Sequence, residues 1–210
     1  MPDEQHPSPP GGDEPAKPSG SQEGTYTQKF SHSPVSARVP ERVGKGSFCT
    51  GIVVQDGPNE FVLDLLQSLG TPKQIVGRIV VSPPTMASLV HSLRENLNNY
   101  SHTFGPPAPL PKPPSNYRPS IQELYENFKL PEDLLSGVYA NSFMISHGPA
   151  EFVVDFITGF YPTAAVACRA YLSAQQIPRV LDTLASSFQQ HQMRFGGPHP
   201  QPPQPPQQPG

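Results

Sequence analysis

The residues of this sequence best suited to chemistry are two acidic pairs with the same spacing. Glu60 and Asp64 enclose one phenylalanine-valine run, and Glu151 and Asp155 enclose another. Residues four apart in an extended strand point to the same face, so each run would place two carboxylates side by side. Such a pair could bind a metal or act as general acid and base.

A structural ion pair explains the same residues with fewer requirements. Asp64 would lie across from Arg78 on a neighbouring strand, and Asp155 would lie across from Arg169 in the same way. No histidine, lysine or cysteine recurs near both aspartates to share catalytic work. We therefore expect structural pairs, no catalytic residue and no enzyme, with a catalytic carboxylate pair as the alternative.

The histidines and cysteines indicate no metal site or redox site. No paired histidine spacing would direct two imidazoles to one metal. Cys49 and Cys168 are the only cysteines, and we interpret them as two unrelated buried or half-buried thiols without a disulfide. No phosphate loop or dinucleotide glycine motif is present, so no cofactor is expected. The histidines are His6, His32, His91, His102, His147, His191 and His199.

The acidic runs belong to a longer internal repeat. A shift of 91 positions aligns residues 46–105 with residues 137–196 without a gap. Twelve pairs are identical, and apolar character is kept at most other positions. Two copies indicate a fused pseudo-dimer, because a solenoid usually needs three or more repeats. The identical residues of the first copy are Gly46, Gly57, Pro58, Glu60, Phe61, Val62, Asp64, Arg78, Ser82, Leu93, Phe104 and Gly105.

Each copy has the pattern of three strands followed by a helix. In the first copy the strands are predicted at 47–56, 60–69 and 74–82, with Gly57 supplying the positive φ of a type II′ turn. Ser82 and Pro83 are typical of a helix start, and Gly105 ends the periodic apolar run.

The second copy repeats this order, although Pro178 predicts a later or disturbed helix start. The fold class is therefore α+β, with two tandem modules that each pack one helix on the apolar face of an antiparallel sheet.

The other face of each sheet carries an apolar stripe bordered by charge. A module of about 60 residues is marginal alone, so we expect the two stripes to bury each other within one chain. A protein partner or a second chain is the alternative occupant. The predicted interface residues are Val53, Val62 and Val80 in the first copy, with Met144, Val153 and Tyr171 in the second.

Proline and glycine divide the rest of the chain. Residues 1–43 are predicted to be a disordered tail before the first module at 44–105, and 197–210 a disordered Pro/Gln tail, because both lack large aliphatic residues. Residues 106–119 form a stiff Pro-rich linker. Residues 120–131 form a short amphipathic helix, since Ser120 and Glu123 fit a capping box. The second module follows at 137–196.

Composition restricts the partners and the location. A net charge of -3 and a pI near 6.1 provide no basic surface for nucleic acid. The N-terminus has no secretory signal, and no apolar run approaches membrane-spanning length. We expect a cytoplasmic protein with no nucleic acid partner and no membrane association. Whether the Pro-rich tails are spacers or ligands stays open.

Four features of the repeats carry a resemblance to a known family: residues 137–141, residues 151–156, an arginine in the third strand, and a helix that ends in Phe-Gly. On these features the repeats resemble the small prokaryotic family called domain of unknown function 3467. Family members resemble single modules, so the resemblance implies this fold and a bacterial origin and supplies no catalytic residues.

Together these patterns favour a non-enzymatic protein-protein interaction or assembly module of unknown biological role. A chaperone or carrier that binds polypeptides on an exposed sheet or helix surface is the alternative. An enzyme with a carboxylate pair is the third possibility.

Overall fold

The computed structural model describes residues 37–111, 120–160 and 163–196. Most of the predicted N-terminal tail, residues 112–119 of the linker and the Pro/Gln tail lie outside these ranges. The predicted boundary of the first tail is wrong at its end. Residues 37–43 are ordered against the second copy, because Arg38 N–H donates to Ala164 O and Arg38 O accepts from Val166 N–H, both at 2.8 Å.

The chain folds as an α+β protein with two four-stranded sheets and four α-helices in the described ranges. Two short 3₁₀ turns add to these, at Glu132–Leu134 and Ala174–Gln176. The elements are α1 Glu41–Gly44, β1 Ser47–Cys49, β2 Gly51–Asp56, β3 Phe61–Gln67, β4 Gln74–Val81, α2 Pro83–Phe104, α3 Ile121–Asn127, β5 Val138–Ala140, β6 Ser142–His147, β7 Glu151–Thr158, β8 Ala165–Ser173 and α4 Ile177–Phe195.

The first predicted strand of each copy is two strands, and these belong to different sheets. β1 pairs in parallel with β8 of the second copy, and β5 pairs in parallel with β4 of the first copy. The sheet orders are β1-β8-β7-β6 and β2-β3-β4-β5. The prediction of self-contained antiparallel sheets is therefore wrong, since each sheet has one parallel edge strand from the other copy.

A polar residue marks each break between the two strands. Thr50 N–H donates to Leu66 O, and the next residue, Gly51, is paired with the same Leu66. Thr50 and Gly51 therefore both lie opposite Leu66, as in a β-bulge. Asn141 stands at the equivalent place, and its Oδ1 accepts the N–H of Gly159 at 2.8 Å. The bulge bends the strand and lets the chain leave one sheet for the other.

The hairpin turn differs from the predicted type. Gly57 does not have a positive φ, and its N–H donates to Glu60 O at 2.9 Å, which leaves Pro58 and Asn59 as the central residues. Proline fixes φ near -65° and therefore suits the first central position of an ordinary turn. The prediction assigned the turn one residue too early.

The long helices begin and end as the sequence predicts, whereas the helix predicted at 120–131 ends earlier, at Asn127, because Phe128 is extended. Ser82 Oγ caps α2, and Gly105 ends it at a φ of 85°. A 3₁₀ turn precedes α4, which confirms the disturbed start that Pro178 predicts. Ser120 and Glu123 form the capping box of α3. Along the described ranges, no helix combines the length and hydrophobicity that a bilayer crossing needs.

One hydrophobic core joins the two copies, and it lies on the inner faces of the sheets together with α2 and α4. The predicted arrangement, with one core per copy and the copies meeting through their outer stripes, is wrong. The inner faces carry the larger apolar side chains, so their burial removes more area from water. Core residues from both copies include Phe61, Leu63, Ile79, Leu93, Phe152, Val154, Leu172 and Leu184.

Each long helix also reaches the hairpin turn of the other copy. The hydroxyl of Tyr100 in α2 donates to Pro149 O at 2.8 Å. His191, at the equivalent position of α4, places Nε2 3.3 Å from Pro58 O. The two copies therefore exchange both an edge strand and a helix contact.

Candidate functional site

The first candidate site is the ion pair on the outer face of the sheet formed by β2 to β5. Register places Asp64 of β3 opposite Arg78 of β4. Arg78 Nε donates to Asp64 Oδ1 and Nη2 donates to Oδ2, each at 2.8 Å. Asp64 is fully buried, so this two-bonded geometry compensates for the loss of water around its charge. The bond to the Asp64 carboxylate raises the pKa of Arg78, so the guanidinium stays charged.

The second copy repeats this geometry on β7 and β8. Arg169 Nε donates to Asp155 Oδ1 and Nη2 donates to Oδ2, each at 2.7 Å. The bond to Asp155 raises the pKa of Arg169 in the same way. The Asp155 side chain is 10% exposed, whereas that of Asp64 is fully covered.

Each arginine donates one further hydrogen bond, to a backbone carbonyl of the segment that comes from the other copy. Arg78 Nη1 donates to Leu135 O at 3.1 Å, and Arg169 Nη1 donates to Gly44 O at 3.4 Å. Leu135 and Gly44 are equivalent under the shift of 91 positions. Each arginine therefore joins its own sheet to the segment that leads into the exchanged edge strand.

Repeated glycines allow the exchanged segments to approach the arginines. Gly46 has a φ of 62° and Gly137 a φ of 67°, a region that favours glycine. A Cβ on Gly46 would lie 2.4 Å from Tyr171 Cε2, and one on Gly137 would lie 2.9 Å from Arg78 Cγ. Gly46 and Gly137 are one of the identical pairs in the repeat alignment. A glycine kept in both copies is the feature of the sequence that indicates this close approach.

The sequence reasoning missed two residues at the Asp64 site. The hydroxyl of Tyr125 in α3 donates to Asp64 Oδ2, and the side-chain amide of Gln55 donates to that hydroxyl. The Arg78 guanidinium also lies 6.0 Å from the centroid of the Tyr125 ring. Burial, followed by the bond to Asp64, raises the pKa of Tyr125 to about 12, so the phenol stays protonated as a donor.

The helical spacing of Ile121, Leu124, Tyr125 and Phe128 in the sequence predicts that Tyr125 lies on the apolar face of α3. Its hydroxyl could not be placed because no pattern in the sequence indicates which surface α3 covers.

The glutamates of the acidic runs do not join the ion pairs. Glu60 precedes β3, and its Oε1 is the atom nearest to a Cβ built on Gly57 of the turn. Glu151 occupies the equivalent place beside Gly148. The sites thus bring together Asp64 with Arg78 and Asp155 with Arg169. Across the described ranges, no group of three histidine, cysteine or acidic residues could hold a metal ion.

The six predicted interface residues lie on the two outer faces, away from the joint core. The outer faces of the two sheets differ in their exposure to solvent. Val53, beside the α3 residue Leu124, is 8% exposed, whereas the equivalent Met144 is 46% exposed. Phe48 of the exchanged strand, paired with Tyr171, is 40% exposed on the same face as Met144. The open face of the second sheet is called the Met144 face below, and it comprises Phe48, Met144, Val153 and Tyr171.

The two cysteines are free thiols near the joint between the copies. Burial, followed by the electrostatic effect of Cys168, raises the pKa of Cys49 to about 12. Burial, followed by the charge of Asp155, raises the pKa of Cys168 to about 11. Both thiols are therefore protonated and weakly nucleophilic near neutral pH. No pattern in the sequence indicates that the two thiols lie close enough to influence each other.

Two tandem α+β modules with exchanged edge strands thus define the class of this protein. A family model described as Protein of unknown function (DUF3467) matches residues 13–108 and again residues 111–197. The chain therefore belongs to this family and contains two tandem copies of its domain. Searches of curated proteins and of solved structures found no match to this chain.

Proposed function

We propose that this protein is a non-enzymatic interaction or assembly module whose two copies act as one pseudo-dimeric unit. The observation that carries the proposal is the use of Arg78 and Arg169. Each binds both oxygens of its aspartate and a backbone carbonyl of the crossing segment. The arginine and aspartate groups that make these bonds hold the fold together. They are therefore unsuited to proton transfer with a substrate.

The surface that we assign to a protein partner is the Met144 face. Met144 and Phe48 are large apolar side chains exposed on a sheet face, and such a patch favours protein binding. Asp155 and Arg169 border the patch with charges that already neutralise each other. This surface chemistry favours a protein partner over nucleic acid, which requires unpaired cations to bind phosphates.

The test is purification of the full-length chain with its partners from native lysate, comparing the parent with two methionine variants. Met144→Glu places a charge on the Met144 face. Met193→Glu is the matched control, since Met193 is 72% exposed on α4. We expect one stoichiometric protein that survives repeated purification, is lost with Met144→Glu and is kept with Met193→Glu.

Other outcomes identify the alternatives. Many unfolded clients at low stoichiometry would indicate a chaperone or carrier. A partner retained equally by both variants would exclude the Met144 face. Recovery of no protein together with turnover of a small molecule would replace the proposal with an enzyme.

A further inference from the structure

One edge of the first sheet, along β2, carries no further strand in the described part of the chain, although α4 packs alongside it and Arg194 of α4 pairs with Asp56 at its end. β2 pairs with β3 on one side, and no other described strand pairs with its outer side. The opposite edge of the same sheet is completed by β5 from the other copy. An open edge strand presents unpaired N–H and C=O groups to any extended segment beside it.

The direction of these backbone groups follows from the hairpin. Gly57 N–H donates to Glu60 O, and bonded pairs alternate along an antiparallel ladder. Val53 and Gln55 therefore direct their backbone groups toward β3. Ile52 and Val54 direct theirs outward.

A groove of about 610 Å³ runs beside this edge. One wall is the start of β2, another is α4, and Leu124 of α3 contributes from the outer face. The volume lies in the range of sites that bind ligands. The wall formed by α4 and the 3₁₀ turn before it is mostly polar and consists of Gln176, Arg179, Val180, Asp182, Thr183, Ser186 and Ser187.

Gln176 leaves one acceptor unused in this groove. Its Oε1 is buried and receives no hydrogen bond from the described residues. Buried polar atoms nearly always have a partner, so this oxygen favours a ligand that brings an N–H donor.

We propose that β2 binds an extended polypeptide segment of a partner protein as an added strand, with Gln176 Oε1 accepting one of its N–H groups. Three residues of β2, Gly51, Ile52 and Val53, line the groove, so the paired length is about 10 Å at the rise of a strand. Side chains of the added strand alternate, so one set meets Arg179 and Asp182 while the other passes Leu124.

An extended segment is the occupant that the geometry favours. A helix satisfies its own backbone groups and cannot pair with Ile52 and Val54, and a proline-rich segment lacks the donors. The sheet already accepts a strand by edge pairing, because β5 completes its other side in this manner. This inference rests on the proposed role in protein binding, but it concerns a surface separate from the Met144 face.

The test uses the full-length chain and a fluorescein-labelled peptide, acetyl-Lys-Val-Thr-Val-Ser-Val-amide, followed by fluorescence polarisation. We expect saturable binding that weakens at least tenfold when alternate peptide amides are N-methylated. That change removes backbone donors and keeps every side chain. Equal binding of the two peptides would overturn the proposal, as would no binding of the unmodified peptide at millimolar concentration.

Protein variants locate the binding edge. Val54→Pro removes an outward N–H that β3 does not use, so binding should fall at least tenfold. Because Val54 also packs against the joint core, the unfolding midpoint should fall as well. Ile145→Pro is the matched control at the equivalent position of β6, and it should leave binding unchanged. Ser186→Trp fills the groove from an exposed position of α4 without altering the sheet, so it should also weaken binding tenfold even if Val54→Pro fails to fold.

Two results would redirect the interpretation. If light scattering finds a dimer that Ser186→Trp or Val54→Pro dissociates, a second copy occupies the edge and the peptide proposal is wrong. If the peptide fails to bind while a Met144-dependent partner is still recovered, the edge proposal is wrong and the proposed function remains.

Discussion

Gly77 and Cys168 occupy equivalent positions of the two copies and meet each other at the joint between them. A Cβ built on Gly77 would lie 3.1 Å from Cys168 Sγ and 3.0 Å from Leu65 Cδ1. Equivalent positions can touch only near the axis that relates the copies. A residue without a side chain therefore faces a thiol at this axis, and the pair tests whether the two copies share one core.

We predict that Gly77→Ala lowers the free energy of unfolding by about 1 kcal/mol, because the added methyl group overpacks the joint. Cys168→Ala removes the opposing sulfur, so the double variant should recover part of that loss. Urea unfolding of the parent, both single variants and the double variant measures the coupling. Strictly additive effects would contradict the contact between the copies.

Gly46→Ala should cost more than a surface substitution, roughly 2 kcal/mol or more, because it combines a positive φ with a collision at Tyr171. Gly70→Ala is the matched control, since nothing lies within 4 Å of a Cβ there. Thermal and urea unfolding should distinguish the two. Equal stability of both variants would mean that Gly46 does not approach the ring of Tyr171.

The two aspartates should differ in their contributions to stability. Asp155→Asn is expected to lower the free energy of unfolding by about 0.5 to 2 kcal/mol without eliminating partner binding. Asp64→Asn should cost more, because Asp64 is fully buried and also accepts from Tyr125. Urea unfolding gives both values. Loss of partner binding at an unchanged unfolding midpoint would instead make Asp155 a functional residue.

Neighbouring valines on opposite faces of β7 test which face joins the copies. Val154 is 3% exposed and belongs to the joint core, whereas Val153 lies on the Met144 face. Val154→Asp should prevent cooperative folding of both copies, since an unpaired buried carboxylate costs several kcal/mol. Val153→Asp should cost about 1 kcal/mol and keep a single unfolding transition. If calorimetry finds that Val153→Asp destabilises the protein more than Val154→Asp, the copies join through their outer stripes and the joint core proposed for the inner faces is wrong.

The buried thiols predict a loss of stability in alkali. Their pKa values are raised to about 12 for Cys49 and about 11 for Cys168 in the folded protein, mainly by burial. An unfolded thiol ionises near pH 8.5, so the folded state holds more protons above that pH. Stability is therefore complete below about pH 8.5 and falls as the pH rises toward the folded pKa values.

The measurement is urea unfolding at pH 8 and pH 10.5, with the Cys49→Ala variant as the control. We expect the decrease between the two pH values to be smaller in the variant, because one of the two linked groups is absent. An identical decrease in both proteins would show that Cys49 does not titrate in this way. Thiol labelling at pH 8 should also be much slower in the folded protein than in urea.

Local patterns in the sequence predicted most individual elements. The spacing of apolar residues gave the helices, and capping residues such as Ser82, Ser120 and Gly105 located their ends. Alternation along the strands placed Asp64 opposite Arg78 and Asp155 opposite Arg169. These features depend on neighbours in the chain or on pairing across one hairpin, where the turn sets the register.

The sequence by itself therefore determined the repeat, the order of elements and the two Asp-Arg alignments, because each is encoded by short-range periodicity. Only the tertiary structure decided that β1 and β5 cross to the other copy, that Tyr125 completes the Asp64 site, and that the inner faces form the joint core. A three-residue strand has the same local pattern whichever sheet it joins. Its choice depends on contacts between residues far apart in the chain, as in the 125-residue separation between Arg169 and Gly44.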